Sequence, residues 1–204
     1  MSKNVCLGKL PKQQHHAALP YDQLPDFMER LRTCEGIPSR ALEFTILTAA
    51  RTSEPTEAMW DEINLVDKVW TVPAERMKGG RQHRVPLTAS VCVLLEALGP
   101  RKSGAIFPGR DGPISRKTLL AALKAVDKDV TTHGFRSTFS DWARERTAYP
   151  RDVVEQSLAH DIKDKSEAAY KRGDALEKRR RLMTEWARYC YSPVISGEVV
   201  ALHG

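Results

Sequence analysis

The chain has 204 residues, of which 41% are hydrophobic and 28% are charged, a balance typical of one soluble globular domain. It contains no apolar run near the roughly 18 residues that a membrane span requires, so no membrane partner is predicted. Its 32 Lys and Arg residues against 26 Asp and Glu residues give a net charge of +6, which favours a polyanionic partner without establishing one.

Four cysteines are spread along the chain, at Cys6, Cys34, Cys92 and Cys190. They form no C-x-x-C pair with histidines and follow no signal peptide, so we expect reduced thiols and a cytoplasmic location. Neither zinc nor a disulfide is predicted.

Residues 1–20 show no helical or strand period and are predicted to form a linker or arm. A helix is predicted from Leu24 to Arg32, and the Gly36-Ile37-Pro38 segment should break it. Ser39 is predicted to cap the next helix. The inward positions of that helix are Leu42, Ile46 and Leu47.

Arg51 lies where this second helix should end. Thr52 or Ser53 can cap a new helix, and Pro55 suits its first turn. Arg51 is therefore predicted at a corner between two helices, beside backbone N–H groups that lack helical partners. Such a corner can hold a phosphate, although the residue by itself could equally be a surface charge.

Three strands are predicted next, at Ile63 to Val66, Val69 to Val72 and His83 to Leu87, forming a small antiparallel sheet. Lys78 lies in the loop between the last two strands. An ammonium on a mobile hairpin can reach a leaving oxygen and protonate it. The alternative is a basic turn that touches only the DNA backbone, as Arg76, Arg81 and Arg84 are expected to do.

Helices are predicted over most of the remaining chain. One carries Val91, Leu94, Leu95 and Leu98 and ends at Gly99. Ser115 should cap another, which ends near Val126 and has Leu119, Leu120, Leu123 and Val126 inward. Later helices run from Arg136 to Arg146, from Pro150 to Leu158, and from Asp174 to Tyr189. The last opens with capping-box spacing at Asp174 and Glu177, and its inward positions are Leu176, Met183, Trp186 and Cys190.

The Thr132-His133-Gly134-Phe135-Arg136 run carries two groups suited to phosphate chemistry. Thr131 and Thr132 are cap candidates, so His133 and Arg136 should project from the first turn of a helix. Arg offers a planar fork of donors to phosphate oxygens, and His can share or pass a proton near neutral pH. The alternative is that His133 caps the helix and Arg136 lies in a solvated salt bridge.

Downstream of Leu158-Ala159-His160, the run Ala168-Ala169-Tyr170-Lys171-Arg172-Gly173-Asp174 places a phenol beside two cations. A phenol is a weak nucleophile because its ordinary pKa is about 10, and cationic neighbours would stabilise the phenolate. The alternative for Tyr170 is an amphipathic residue with a buried ring and a solvated hydroxyl.

These three blocks resemble, in order and spacing, the catalytic domain of the tyrosine recombinases, specifically the prophage-type integrases. The resemblance runs from about Ala17 to Tyr189. It implies an α+β fold, mainly α, in which a helical DNA breaking and rejoining domain over residues 21–191 carries a small three-stranded antiparallel sheet. It also implies that Arg51 is the first catalytic Arg, followed by the acidic Glu54, and that Lys78 is the hairpin lysine.

The resemblance implies a mechanism for six catalytic residues. Two arginines hold the scissile phosphate, a tyrosine attacks it to form a 3′-phosphotyrosyl link, a lysine protonates the 5′-oxygen and two histidines tune protons and contacts. Because arginine and lysine supply the positive charge, no metal or other cofactor is required. The residues in question are Arg51, Lys78, His133, Arg136, His160 and Tyr170, with Lys171 and Arg172 as further DNA-backbone candidates.

Double-stranded DNA and other recombinase subunits are the implied partners. Residues 192–204 form an apolar tail that either folds back or, as the resemblance suggests, docks on a neighbouring subunit. Recombinases of this type carry an upstream DNA-gripping domain, so we expect this chain to be part of a longer integrase. Two other functions stay open: a tyrosine-dependent type I topoisomerase, and a non-catalytic DNA-binding module with the same fold.

Overall fold

The structure, a computed structural model, describes residues 18–160 and 174–193. Eight α-helices lie within these ranges, together with three short 3₁₀ segments at Tyr21–Gln23, Trp60–Glu62 and Ala74–Arg76. The helices are α1 (Leu24–Thr33), α2 (Ile37–Thr48), α3 (Ser53–Thr56), α4 (Ala89–Ala97), α5 (Arg116–Val126), α6 (Gly134–Arg146), α7 (Arg151–Ser157) and α8 (Leu176–Cys190).

The predicted sheet is confirmed as three antiparallel strands in the order β1 (Ile63–Asn64), β2 (Val69–Val72) and β3 (His83–Pro86). Trp70 is paired with Ile63 on one side and Val85 on the other. The first strand is shorter than the predicted Ile63 to Val66, because Val66 lies in the turn with its side chain exposed. The fold is therefore mainly α with a small sheet, as predicted.

Helix α2 lies at the centre of the molecule. Nine of its 12 residues are buried, since it contacts α1, α4, α5 and α8 on different sides. A helix surrounded in this way needs apolar or internally bonded side chains all round. The predicted inward positions Leu42, Ile46 and Leu47 are confirmed as fully buried, and the buried hydroxyls of Thr45 and Thr48 donate to carbonyls one turn earlier.

The predicted cap of α2 at Ser39 is wrong by three residues, because Gly36 occupies the N-cap position. The helix begins at Ile37, Pro38 lies in its first turn, and Gly36 occupies the preceding position with φ of 94°, which glycine adopts readily because it lacks a Cβ. The hydroxyl of Ser39 instead donates to the carbonyl of Glu35 at 3.3 Å.

An aromatic cluster joins α6 to α8. The ring of Trp186 lies 5.2 Å from that of Phe139 and 5.0 Å from that of Trp142. Trp186 also donates its indole N–H to the carbonyl of Ile46 at 2.9 Å, which connects the cluster to α2. Because each ring buries a large area, this cluster fixes the direction of α6 and hence of the side chains on its first turn.

Two predictions about later helices need correction. Ser115 does cap α5, accepting from the Thr118 N–H at 3.1 Å, but Leu120 is 43% exposed because α5 packs through Leu119 and Leu123, one turn apart. The capping box at the start of α8 does not form. Ala175 occupies the N-cap position, and the Asp174 carboxylate accepts from Arg84 and, at 3.3 Å, from the Leu176 N–H.

Cys34, Cys92 and Cys190 are free thiols, and Cys6 lies outside the described residues. Over the described part of the chain, no helix combines the length and apolar character that crossing a membrane demands.

Candidate active site

Arg51 occupies the predicted corner between α2 and α3. Its backbone N–H and its Nη1 both donate to the carboxylate of Glu54, each at 2.9 Å. Its Nη2 donates to the carbonyl of Ala159 at 2.7 Å. Because the Glu54 side chain is only 4% exposed, this pair holds the guanidinium in one orientation at the edge of the core. The acidic residue three positions after the arginine is thus an orienting partner.

Arg136 lies on the first turn of α6 and is 4% exposed, so the alternative of a solvated salt bridge is wrong. Nη1 donates to the carbonyl of Ala49 and Nη2 to that of Leu158, both at 2.6 Å. Burial, and then the neighbouring charge of Arg51, lower the pKa of Arg136 to about 10, so the group stays charged at neutral pH. Its Nε has no acceptor within the described residues.

Backbone carbonyls therefore hold the two arginines together. Ala49 follows the end of α2 with φ of 50°, and Ala159 follows the end of α7 with φ of 48°. The carbonyl oxygens at helix C-termini carry partial negative charge. Together with the carboxylates of Glu54 and Glu155, they offset the repulsion between the two guanidinium groups.

His160 extends the cluster. Its Nε2 lies 3.1 Å from Nη2 of Arg136, and its Nδ1 lies 2.6 Å from the carboxylate of Glu155. A guanidinium only donates hydrogen bonds, so Nε2 must be the acceptor and Nδ1 carries the hydrogen that Glu155 receives. His160 is thus held as the neutral Nδ1–H tautomer, with Glu155 fixing the ring and the ring bracing Arg136.

The structure brings together Arg51, Arg136 and His160 of the six predicted catalytic residues. Lys78 lies where predicted, exposed in the loop between β2 and β3. His133 is exposed and immediately precedes α6, which begins at Gly134 and not at the predicted Arg136, and Thr131 Oγ1 accepts from the Gly134 N–H at 3.0 Å. Tyr170 lies outside the described residues, as do Lys171 and Arg172.

The arginines predicted to contact the DNA backbone differ in their surroundings. Arg76 binds the carboxylate of Glu62 and donates to the carbonyl of Glu54 at 3.1 Å. Arg84 is bound to Asp174 by two hydrogen bonds of 2.8 Å. Arg81 is exposed in the hairpin loop. Two of the three guanidinium groups thus have carboxylate partners within the protein, and contact with DNA stays a prediction for all three.

Two residues of this region were not predicted from the sequence. Glu155 precedes His160 by five positions and belongs to no motif. His83 begins β3, and its Nε2 lies 3.3 Å from Nη2 of Arg179. Burial, followed by the charges of Arg179, Arg51 and Arg136, lowers the pKa of His83 to about 3. The start of β3 therefore lies within electrostatic range of both site arginines, and His83 is neutral at physiological pH.

Across residues 18–160 and 174–193, no group of three or more His, Cys, Asp or Glu side chains could hold a metal ion. What the described site offers is positive charge, hydrogen-bond donors and an imidazole. These groups suit the binding of a phosphate and the stabilisation of charge on its oxygens.

Comparison with known proteins gives a consistent result. The model of the phage integrase family matches residues 18–189. The prophage integrase IntA of Escherichia coli strain K12 is 37% identical over 212 residues, which cover 98% of this chain and 51% of that protein. The chain spans about half the length of the curated relatives that it matches.

Solved structures share the fold. The integrase from mycobacterium phage Brujita has a TM-score of 0.65 at 20% identity, covering 86% of this chain and 60% of that one. A lambda integrase tetramer bound to a Holliday junction has a TM-score of 0.54 at 18% identity, covering 76% of this chain and 49% of that one. At this level of identity the likeness establishes the fold alone.

Proposed function

Because this chain belongs to the phage integrase family, we propose that it carries out site-specific DNA strand exchange through a covalent 3′-phosphotyrosyl intermediate. The observation that carries the proposal is the pair of guanidinium groups, Arg51 and Arg136, held side by side by helix-terminal carbonyls. Donors fixed in advance around one anion position stabilise charge that develops on phosphate oxygens without reorganising during the reaction.

In the proposed reaction, Arg51 and Arg136 bind the non-bridging oxygens of the scissile phosphate. The hydroxyl oxygen of Tyr170 attacks the phosphorus and loses its proton, with His133 as the candidate acceptor. The bond from phosphorus to the 5′-oxygen breaks, and Lys78 gives a proton to that oxygen. Attack of a 5′-hydroxyl on the phosphotyrosine reverses these steps and rejoins a strand, so no nucleotide cofactor is consumed.

The geometry favours a specific role for His160. In the neutral tautomer, Nε2 accepts from Arg136 and Nδ1 donates to Glu155, so neither ring nitrogen is open to transfer a proton in this arrangement. We assign His160 the task of holding Arg136 against the phosphate, and Glu155 the task of holding His160.

The choice of Tyr170 as nucleophile is supported by the other tyrosines. The chain has five, and the four in described positions all use their hydroxyl groups as donors. Each has a raised pKa, through hydrogen bonding to Glu145 for Tyr21 and through burial first for the other three, which disfavours the phenolate. The hydroxyls belong to Tyr21, Tyr149, Tyr189 and Tyr191, and their acceptors are Glu145, Glu185, the Tyr21 carbonyl and Glu43.

We propose double-stranded DNA in the cytoplasm as the substrate and other subunits of the same kind as partners, as in the lambda integrase tetramer on its Holliday junction. Residues 21–191 would be the catalytic domain, and the tail from 192 to 204 would dock on a neighbouring subunit.

The test uses a pool of nicked suicide duplexes with randomised sequence around the nick, at low salt and saturating protein. The parent should form an adduct that survives denaturant and whose peptide spans Tyr170, and Tyr170→Phe should bind DNA without forming it. Tyr149→Phe is the matched control and should react like the parent. An adduct that persists in Tyr170→Phe, or none from fully bound parent, would overturn the proposal. Adducts without sequence preference would indicate a topoisomerase.

A further inference from the structure

The start of α8 is bound to β3 by four polar side chains that the proposed reaction does not use. His83 and Arg84 lie on β3, Asp174 lies just before α8, and Arg179 lies in its first turns. The two segments are about ninety residues apart in sequence, since Arg84 and Asp174 are separated by 90 positions. We refer to these four residues as the β3–α8 joint.

The hydrogen bonds of the joint are 2.6 to 3.3 Å long. Nε and Nη2 of Arg84 each donate to a different carboxylate oxygen of Asp174 at 2.8 Å, the planar bidentate geometry that is strongest for this pair. Arg179 Nη2 donates to the carbonyl of Arg84 at 2.6 Å and Nη1 to that of Asp174 at 3.3 Å. One guanidinium therefore binds the backbone of both segments at once.

Arg179 connects a strand to a helix at a cost in desolvation free energy. Its side chain is 1% exposed, and the Asp174 carboxylate lies 3.9 Å away. Its Nε has no acceptor in the described part of the chain. Burial lowers its pKa to about 10. Burying the Arg179 guanidinium costs desolvation free energy, and the Arg84–Asp174 pair, at 45% and 38% exposure, adds little stability in return. The joint is therefore poorly explained as a source of stability, whereas its directional bonds define one relative position.

Both ends of the joint are close in sequence to residues of the proposed reaction. Lys78 precedes His83 by five positions, and Tyr170 precedes Asp174 by four. A chain extends at most about 3.6 Å per residue, so these distances are limited to about 18 Å and about 14 Å. The joint therefore fixes two anchor points from which the proposed general acid and the proposed nucleophile must reach the same phosphodiester.

We infer that Arg84, Asp174 and Arg179, braced by His83, are positioning residues that set the hairpin of Lys78 and the start of α8 at one separation, and that the strand-cleavage rate depends on it. This rests on the proposed function. It also gives Arg84 a role other than the DNA-backbone contact expected from its charge, and the two roles make different predictions.

The decisive experiment compares Arg84→Gln, Asp174→Asn and the double variant. Asn keeps the oxygen that accepts from the Leu176 N–H at 3.3 Å, so Asp174→Asn removes the ion pair and retains this contact with the first residue of α8. Adduct formation is measured in single turnover on saturating nicked duplex taken from the reactive pool. Each single variant should be about tenfold slower with an unchanged Kd, and the double variant no slower than either, because displacing reacting groups lowers rate rather than affinity.

If Arg84→Gln instead raises Kd while Asp174→Asn leaves rate and Kd unchanged, Arg84 is a DNA contact and the inference is wrong. Independent, multiplying effects of the two substitutions would also contradict it. Asp26→Asn removes the carboxylate of an exposed ion pair of 3.0 Å on α1 and is the matched control, which should react at the parental rate.

A second readout needs no reaction and separates failure of this inference from failure of the proposed function. Amide hydrogen exchange is followed over residues 77–84, where the Gly80 N–H donates to the Met77 carbonyl at 2.9 Å. Asp174→Asn should speed this exchange severalfold while Tm is unchanged. Unaltered exchange would refute the positioning role of the joint even if the parent cleaves DNA. Faster exchange without any adduct from the parent would count against the proposed function alone.

Discussion

Replacing His83 with Gln should make the folded protein less sensitive to acid. In the folded state, burial and the charges of Arg179, Arg51 and Arg136 lower the pKa of His83 from 6.5 to about 3, with Asp174 opposing them. The unfolded state therefore binds a proton at a higher pH than the folded state does. Stability from the neutral ring is fully present above about pH 6.5 and is lost as pH falls toward 3.

The magnitude follows from the pKa difference. In the unfolded state the pKa of the imidazole is about 1.5 units above pH 5, so the ring is almost fully protonated at that pH. In the folded state it is not. At about 1.36 kcal/mol per unit, His83 alone should cost the parent about 2 kcal/mol of unfolding free energy between pH 7 and pH 5. Gln can place an acceptor near the position of Nε2 for Arg179 but cannot titrate, so this loss should disappear in His83→Gln.

Urea unfolding followed by tryptophan fluorescence at pH 7 and pH 5 measures the effect, and the chain has four tryptophans to report it. Other groups also titrate in this range, but they are common to both proteins and cancel in the difference. Parallel losses of stability in the parent and in His83→Gln would show that His83 is not held neutral beside the arginines, and that β3 does not begin near the site.

Three further outcomes are expected. Glu155→Ala should leave His160 as a mixture of tautomers, seen in its ring ¹⁵N chemical shifts, and slow cleavage about tenfold through looser positioning; an unchanged Nδ1–H tautomer would show that Glu155 does not hold the His160 ring. Trp186→Ala should lower the unfolding free energy by about 3–5 kcal/mol in urea, since it leaves a cavity in the α6–α8 cluster and removes one of the two donors to the Ile46 carbonyl, which keeps the Ala49 N–H; a loss below about 1 kcal/mol would mean that the cluster does not fix α6. DNA binding by the chain should be weak, with a Kd of roughly 10⁻⁴ to 10⁻⁶ M at physiological salt, and Arg51→Gln should reduce the salt slope by about one; an unaltered slope would remove Arg51 from the phosphate.

The sequence predicted helices and strands best where local signals act alone. The cap at Ser115, the corner at Arg51 and the pairing of β2 with β3 all follow from short-range patterns. The start of α2 was misplaced because Ser39 is a good capping residue by composition, while the chain uses the positive φ of Gly36 and the fixed φ of Pro38. Gly36 and Ser39 are both acceptable capping residues and lie within four residues of each other, and propensity alone does not decide which of them begins the helix.

The site was predicted in its residue types but not in its connections. Arg136 is identifiable by spacing to His133, yet nothing in the sequence shows that its guanidinium is buried on the carbonyls of Ala49 and Leu158, 87 and 22 positions away. Arg179 was indistinguishable from its basic neighbours on α8, and only the fold shows that it faces β3. Contacts that depend on tertiary distance leave no local period to detect.

Ala49 and Ala159, two of the alanines with left-handed backbone, bear on how the sequence of such a site can change in evolution. What each gives to the site is a carbonyl oxygen, which every amino acid carries, so selection there acts on backbone handedness and not on side-chain chemistry. β-Branched residues would be penalised by roughly 1–2 kcal/mol in this conformation, while Gly and Asn adopt it more readily. Ala49 is 1% exposed and Ala159 is only partly buried. Glycine should therefore be the main neutral substitution at position 49, whereas position 159 should also accept small polar residues. Two positions that each contribute a carbonyl to the site can thus differ in the substitutions that they tolerate.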